Sequence, residues 1–249
     1  MIVCRSKAEI EKLRRSGHIV RQLLEETRRQ VRPGATTLDL ETFVEKRMTE
    51  LGVRAAFKGY RGYPCCLCAS VNHEIIHGIP SGRRRLQTGD IVSLDLGVIL
   101  DGYYGDSALT VPVGEISEPL ERLLRVTQEC LELGILQAKA GKRVGDISAA
   151  VQAHAEGSGY SVVREFVGHG VGRALHEEPQ VPNYGQAGRG PLLKEGMVIA
   201  IEPMLNTGGP AVRVLEDHWT AVTADGGYSA HFEHMVAITS NGADVLTRM

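Results

Sequence analysis

The sequence predicts an α+β fold built from two related halves. Apolar residues recur at helical spacing in two regions, 10–51 and 120–151. Each region is followed by short apolar, β-branched runs bounded by turn signals, a pattern typical of strands. The two regions also match each other at a constant offset of 107 positions. Helices packed in a layer on a sheet give such a chain one buried core.

The first half is predicted to start with two helices. Ser6 and Glu9 have capping-box spacing, and Pro33-Gly34 ends the helix that follows. A second helix is predicted from about Leu38 to Leu51. Strands then follow at 66–71, 91–100 and 104–113.

The second half repeats this order. A helix begins after Ser117-Glu118-Pro119 and ends near Gly141, and another carries Ile147 and Val151. The strands predicted after these helices lie at 161–167, 197–202, 211–215 and 231–239.

Internal duplication explains the repeated order. Segment 88–95, TGDIVSLD, matches segment 195–202, EGMVIAIE, so Asp95 and Glu202 occupy equivalent places. Five further pairs share the offset of 107: Gly34 with Gly141, Asp39 with Asp146, Leu40 with Ile147, Val44 with Val151, and Gly52 with Gly159. We predict a single domain over 1–249, with pseudo-repeats at about 1–113 and 114–249.

Composition excludes several classes of protein. The 249 residues are 43% hydrophobic and 23% charged with a net charge of −2, so no general attraction to nucleic acid or membranes is expected. The N-terminal residues do not resemble a signal peptide, and no run is apolar enough to span a bilayer. We expect a cytoplasmic monomer. Three of the five cysteines, Cys65, Cys66 and Cys68, crowd together, but three thiols favour half-buried strand residues over a zinc site.

Two aspartates occur where strands normally exclude them. Asp101-Gly102 predicts a two-residue hairpin that pairs residue 100 with 103 and residue 97 with 106. Asp95 and Asp106 then lie diagonally on one face of the sheet. A buried aspartate without a partner is costly, so these two residues need a counter-charge.

Four carboxylates are predicted to share this region. The repeat places Glu202 beside Asp95, and Glu233 lies in the last apolar strand. Two divalent cations would balance the four negative charges, and His169, in a glycine-rich segment, suits a fifth ligand. Such hard ligands favour manganese, iron(II), cobalt or zinc, and paired metals commonly catalyse hydrolysis.

The sequence motifs resemble those of a known family, the type I methionine aminopeptidases, which have the pita-bread fold. The short gap between Glu202 and Glu233 lacks the helical insertion of type II members. The matching segments keep the family's order: YRGYP (60–64), NHEIIHGIP (72–80), DLGVILDGYYGDSALT (95–110), GHGVGRALHEEPQVPNYG (168–185), AIEPM (200–204), DHWT (217–220) and HFEHMV (231–236).

The resemblance implies roles for individual residues. It makes Asp95, Asp106, His169, Glu202 and Glu233 the ligands of two divalent metal ions. Asp106 and Glu233 would bridge the ions, and Glu202 would also shuttle a proton. His77 and His176 would hydrogen-bond the substrate amide and the developing oxyanion.

The resemblance also implies a pocket for the methionine side chain. Its walls would be Tyr60, Tyr63, Cys68, Trp219, Phe57 and Leu175. Phe57 stands where cysteine is frequent in bacterial members, and Leu175 where phenylalanine is frequent. The implied activity removes N-terminal methionine when the second residue is small. Its implied partners are nascent polypeptides near the ribosome.

Three alternatives stay open from the sequence. A proline dipeptidase or aminopeptidase P shares the fold but carries an additional N-terminal domain, whereas two predicted helices already fill the residues before NHEIIHGIP. A metal-free binding module, or an amidinohydrolase that works without metals, would have no need of all five ligand types.

Overall fold

The computed structural model describes residues 1–248 and confirms the α+β class. The helices are α1 (Lys7–Arg28), α2 (Thr37–Glu50), α3 (Glu118–Gln137) and α4 (Val144–Gly157), with a 3₁₀ turn at Tyr60–Gly62. The strands of the first half are β1 (Arg54–Ala55), β2 (Leu67–Val71), β3 (Glu74–Ile76), β4 (Ile91–Leu100) and β5 (Tyr103–Pro112). Those of the second half are β6 (Ser161–Val162), β7 (Gly168–Gly170), β8 (Glu177–Val181), β9 (Val198–Ile201), β10 (Met204–Asn206), β11 (Val212–Val214), β12 (Ala221–Thr223), β13 (Ser229–His231), β14 (His234–Ile238) and β15 (Ala243–Val245).

Two larger sheets form the centre of the molecule. One has the order β1-β4-β2, with β5 also paired to β4, and the other has the order β15-β14-β9-β7-β8. Two three-stranded sheets, β13-β10-β6 and β11-β12-β3, complete the fold. Each recorded strand pairing is antiparallel, as expected where hairpins rather than helical crossovers join strands.

The two halves repeat each other at the level of single hydrogen bonds. The Gly34 amide donates to the Leu86 carbonyl at 2.8 Å, and 107 positions later the Gly141 amide donates to the Leu193 carbonyl at 3.0 Å. Gly34 and Gly141 have φ of 89° and 88°, a left-handed conformation that favours glycine. Gly34 and Gly141, at which the predicted helices end, therefore occupy equivalent turns in the two halves.

Helix α1 packs tightly on the first sheet. Ser6 and Glu9 form the predicted capping box at its start. A Cβ atom at Gly105 of β5 would lie 2.6 Å from the backbone oxygen of Ser16, so only glycine allows this approach. Among the buried apolar side chains of this layer are Leu13, Val20, Leu23, Leu24 and Leu40.

The predicted hairpin is confirmed in its register. Leu100 pairs with Tyr103 and Gly97 with Asp106, while Asp101 and Gly102 adopt φ of 51° and 78° at the turn. Asp95 pairs with Ala108, which places Asp95 diagonally from Asp106 as expected.

Other strand boundaries differ from the prediction. The strand expected at 161–167 is only two residues long, and the one expected at 231–239 is split into β13 and β14. Glu233 lies in the gap, where its amide donates to the Ala108 carbonyl instead of to a strand of its own sheet. Short strands such as β3 and β10 pair only with distant segments, so the local pattern did not indicate them.

The three crowded cysteines lie at the start of β2: Cys65 and Cys66 come immediately before the strand, and Cys68 lies within it. Cys66 and Cys68 are buried, and the carboxylate of Glu41 accepts hydrogen bonds from the Cys66 and Leu67 amides at 2.8 and 2.9 Å. Across residues 1–248, no helix is both long and apolar enough to cross a bilayer.

Candidate active site

One cavity collects all five predicted metal ligands. It has a volume of about 580 Å³. The ligands come from both larger sheets and from two irregular segments next to strands: Asp95 (β4), Asp106 (β5), His169 (β7), Glu202 (after β9) and Glu233 (between β13 and β14).

The imidazole of His169 lies between carboxylates. Its Nε2 atom is 3.7 Å from Oδ2 of Asp106 and 3.6 Å from Oε1 of Glu202. Asp106, His169 and Glu233 each offer one ligand atom, and these atoms lie within 4.8 Å of one another. The three atoms therefore surround a space of the size that a metal ion needs.

The backbone orients His169. Nδ1 lies 2.9 Å from the Gly170 carbonyl, so it is Nδ1 that carries the proton and Nε2 that turns a lone pair to the carboxylates. The sequence suggested that the flanking glycines allow close approach to a ligand, but the structure gives another reason. A Cβ at Gly168 would lie 2.4 Å from the Ala200 carbonyl oxygen, and one at Gly170 would lie 2.3 Å from that of Glu178. The glycines let β7 fit between β8 and β9.

Backbone contacts also fix the two glutamates. The side-chain amide (Nδ2) of Asn183 donates to the Glu202 carbonyl at 3.0 Å, and the Ser107 hydroxyl donates to the Glu233 carbonyl at 2.6 Å. Glu202 immediately precedes Pro203, where β9 has already ended, so its side chain is free to face the cavity.

Burial makes the carboxylate cluster unfavourable without cations. It raises the pKa of Asp95 to about 7. Burial and neighbouring carboxylates raise the pKa values of Asp106, Glu202 and Glu233 well above normal, whereas burial lowers the pKa of His169 to about 3. The pKa shifts of all five groups thus favour their neutral forms when no cation is present.

The donor set fits divalent metal ions. Buried oxygens Oδ1 of Asp95, Oδ1 of Asp106 and Oε1 of Glu233 have no hydrogen-bond partner within residues 1–248. Orphaned buried acceptors are rare in native proteins and call for an ion or water. Four carboxylates and one neutral imidazole match the preference of manganese, iron(II), cobalt and zinc.

Two further histidines border the cluster. Nδ1 of His176 lies 2.7 Å from the Tyr60 hydroxyl, and its ring centroid is 4.3 Å from that of His169. His77 contacts Trp219 edge-on at 5.9 Å and adopts a left-handed backbone with φ of 61°. Such strain in a non-glycine residue is typical of functional sites. Burial lowers the pKa of His77 to about 4, so its ring is neutral at pH 7.

An apolar wall continues from the cluster. The predicted pocket residues line the same cavity: Phe57, Tyr60, Tyr63, Cys68, Leu175 and Trp219. Tyr63 donates its hydroxyl to the carbonyls of Leu67 and Gly78 and so presents only its ring to the pocket. Tyr63 and Trp219 pack edge to face with centroids 5.1 Å apart.

His231 lies near the site motifs in the sequence, but no spacing argument assigned it to the site. Its Nε2 atom is 3.7 Å from Oε2 of Glu202, and neither ring nitrogen has a hydrogen-bond partner in the part of the chain that the structure describes. Its position directly before Phe232 and Glu233 was the signal available. Strand pairing of Met204 with His231, which brings it beside Glu202, could not be read locally.

Comparison with known proteins identifies the family. The model of Metallopeptidase family M24 matches residues 11–240. The chain belongs to metallopeptidase family M24. A methionine aminopeptidase from Bacillus subtilis is 49% identical over 249 residues, covering 100% of both chains, and one from Clostridium perfringens is 49% identical over 99% of both. The crystal structure of a methionine aminopeptidase from Thermotoga maritima superimposes with a TM-score of 0.98 at 48% identity, covering 100% of both chains.

Membership in M24 agrees with the site. Within family M24 the chain groups with the methionine aminopeptidases, as its motifs indicated. It has the pita-bread fold. A metallopeptidase is a metal-dependent hydrolase, and the cavity offers a buried set of metal donors next to an apolar pocket.

Proposed function

We propose that this protein removes N-terminal methionine from peptides and proteins, with preference for a small second residue. One observation carries the proposal: five metal-ligating side chains converge at the end of a cavity whose other wall is apolar and aromatic. This arrangement suits a substrate with a polar amino terminus and an unbranched apolar side chain. Full-length relatives named methionine aminopeptidases support it.

Two divalent metal ions are proposed at the carboxylate cluster. Asp95, Asp106, His169, Glu202 and Glu233 would hold them, with Asp106 and Glu233 shared between the ions. Bound divalent ions supply a Lewis acid and lower the pKa of water, the chemistry that peptide hydrolysis needs. Cobalt, manganese, iron(II) and zinc are the candidates.

The proposed catalytic residues of the chain are His77, His176 and Glu202. The rings of His77 and His176 border the cluster and are neutral at pH 7, so each can donate an N–H hydrogen bond to the substrate. A donor aimed at a developing oxyanion stabilises the transition state. Burial raises the pKa of Glu202, which favours a carboxyl group that takes up a proton and passes it to the leaving amine.

Substrate selectivity is assigned to the apolar wall. Phe57, Tyr63, Cys68, Leu175 and Trp219 would enclose the methionine side chain, with Tyr60 at the mouth. The amino terminus would lie at the carboxylates and at the metal ions they would hold. This explains cleavage of the first residue only.

The remaining expectations belong to the same proposal. We infer a single catalytic domain over 1–249 that acts as a monomer in the cytoplasm on nascent chains near the ribosome. No nucleic-acid substrate or membrane attachment is expected.

Removal and restoration of metal test the proposal. Hydrolysis of Met-Gly-Met-Met should stop after chelation and return when cobalt, manganese, iron(II) or zinc is added separately. An X-Pro dipeptide should be a poor substrate in the same assays. Full activity of a preparation free of transition metals, or preferential cleavage of X-Pro, would contradict it.

A further inference from the structure

The connection between β7 and β8 carries two residues of the cavity. Leu175 and His176 lie at its end, directly before the first residue of β8, Glu177. Leu175 is buried, whereas His176 is exposed to the cavity mouth, and the segment 171–176 has no regular secondary structure. Something else must therefore hold His176 in place.

The side chain of Glu177 hydrogen-bonds the backbone of this connection. Its Oε1 atom accepts hydrogen bonds from the backbone amides of Arg173 and Ala174 at 2.9 and 3.2 Å. A carboxylate that holds two consecutive amides fixes the turn immediately before His176. The orientation of the Glu177 side chain consequently determines the path of the connection.

Arg5 fixes the Glu177 side chain from the N-terminal segment. Its guanidinium forms an ion pair with Oε2 of Glu177, the oxygen that the amides do not use. The Arg5 side chain is only 6% exposed and that of Glu177 is 18% exposed, so water screens this pair far less than a surface pair. The two residues are 172 positions apart in the chain.

Arg5 is itself fixed by a backbone hydrogen bond and by packing against Gly172. Its backbone amide donates to the Gly196 carbonyl at 2.7 Å, just before β9. Its guanidinium lies against Gly172, where a Cβ atom would come within 2.1 Å of Nη2, so any larger residue at 172 would collide with it.

A second contact joins the same two regions. The guanidinium of Arg173 donates to the Tyr103 hydroxyl at 3.0 Å, and that hydroxyl donates to Oε1 of Glu9 at 3.1 Å. Glu9 is in turn 3.8 Å from Arg5. Residues at the start of α1 and just before it therefore hold the connection, through Tyr103 at Arg173 and directly at Glu177.

We propose that Arg5 is a positioning residue: through Glu177 it holds the 171–176 connection, and thereby His176, in the geometry that the reaction needs. The inference rests on the proposed function, which gives His176 a hydrogen bond to substrate. Arg5 touches neither metal ligand nor substrate, so its effect is on turnover rather than on metal binding.

Kinetics of matched variants test the proposal. In the metal-loaded protein, Arg5→Ala and Glu177→Gln should each lower kcat for Met-Gly-Met-Met by about 10- to 100-fold with less change in KM, since small misplacement of a catalytic group is costly. Arg5→Lys, which keeps the ion pair, should stay within about threefold of wild type. Arg15→Ala removes a solvent-exposed ion pair between α1 and Asp101 at the β4–β5 turn, and it serves as the control. Bound metal per chain should be unchanged in all four.

A double-mutant cycle separates positioning from general stability. If Arg5 acts through His176, Arg5→Ala should cost little once His176→Ala is present. Independent, additive losses in the double variant would overturn the proposal, as would wild-type kcat in Arg5→Ala.

An activity-independent measurement separates this inference from the proposed function. In hydrogen–deuterium exchange, the amides of Arg173 and Ala174 should exchange about tenfold faster or more in Arg5→Ala than in wild type or Arg15→Ala. Unchanged exchange overturns the role of Arg5 even when the wild type is active. Inactivity of the wild type with every metal would overturn the proposed function, while the exchange data still decide whether Arg5 orders the connection.

Discussion

His169 and His176 pack against each other with ring centroids 4.3 Å apart and planes at 70°, yet their ring nitrogens face different groups. His169 turns Nε2 to within 4 Å of two carboxylates, whereas His176 contacts the Tyr60 hydroxyl through Nδ1. We therefore propose different tasks for these adjacent imidazoles, metal binding for the first and substrate binding for the second.

His176→Ala should separate these tasks. We expect bound metal per chain to stay near the wild-type value while kcat falls by about 100-fold, the usual effect of removing one oxyanion donor. Elemental analysis and steady-state kinetics on Met-Gly-Met-Met measure the two quantities. His154→Ala, which removes a partly exposed contact with Glu129, is the control and should leave both unchanged. Loss of metal from the His176 variant would show that the role assigned to this residue is wrong.

Asp106→Asn should reduce metal binding and activity together. The amide keeps the shape of the side chain but removes the negative charge that two cations would share, so activity should fall by about 100-fold or more. The metal-free variant should not be less stable than metal-free wild type, because it lacks one of the crowded carboxylates. Thermal unfolding, titration calorimetry and kinetics test these points.

Asp101→Asn is the matched control for Asp106→Asn. Asp101 is exposed at the hairpin turn with φ of 51°, a conformation that asparagine tolerates. Its metal content and kcat should equal those of wild type. Equal activity in Asp106→Asn and Asp101→Asn would argue against a metal at Asp106.

Metal binding should release protons near neutral pH. The pKa of Asp95 is raised to about 7, and burial with neighbouring charges raises those of three neighbouring carboxyl groups well above normal, so the metal-free site holds protons that a cation must displace. His169, with a pKa lowered to about 3, adds none above pH 5. Affinity should therefore rise from pH 5 toward pH 7 by up to about tenfold per unit for each proton displaced, and the contribution of Asp95 should level off above its pKa of about 7. Calorimetry in buffers of different ionisation enthalpy counts the protons, and a pH-independent affinity would contradict the expectation.

Leu175→Phe should narrow the apolar pocket. Leu175 is 3% exposed and packs in the same cluster as Phe57, Tyr63 and Cys68, so the larger phenylalanine side chain has little space there. We expect kcat/KM for Met-Gly-Met-Met to fall by about 10-fold or more, since overpacking a filled site costs about 1–3 kcal/mol. The paired change Leu175→Phe with Phe57→Cys should recover part of the loss because it restores space in the opposite wall. No recovery would indicate that the two side chains do not share the pocket.

Gly105→Ala should destabilise the fold without touching the cavity. The new methyl group would lie 2.6 Å from the backbone of Ser16, and neither α1 nor β5 can move without disturbing buried neighbours. We expect a loss of about 1–3 kcal/mol in the free energy of unfolding. Gly157→Ala, at the end of α4 with open space around it, should instead be neutral or stabilising by up to about 1 kcal/mol. Denaturant unfolding of the two variants distinguishes steric contact from a general effect of glycine replacement.

Local patterns predicted the elements that depend on neighbouring residues. The capping box of Ser6 and Glu9, the turn at Asp101-Gly102 and the register that places Asp95 near Asp106 all follow from spacing within a few residues. The duplication extended the prediction to Glu202, because its equivalence with Asp95 is a property of the sequence. The prediction of two pseudo-repeats rests on the same equivalence.

Long-range contacts account for what the sequence left open. The break at Glu233 exists because its amide pairs with Ala108 of the other sheet, and His231 reaches Glu202 only through the pairing of β13 with β10. The ion pair of Arg5 with Glu177 joins residues 172 positions apart in the chain. The sequence by itself determined which residue types the site contains, since motif chemistry is local. The tertiary structure decided which of them meet and at what distance, because strands far apart in the chain are brought together only when both halves pack.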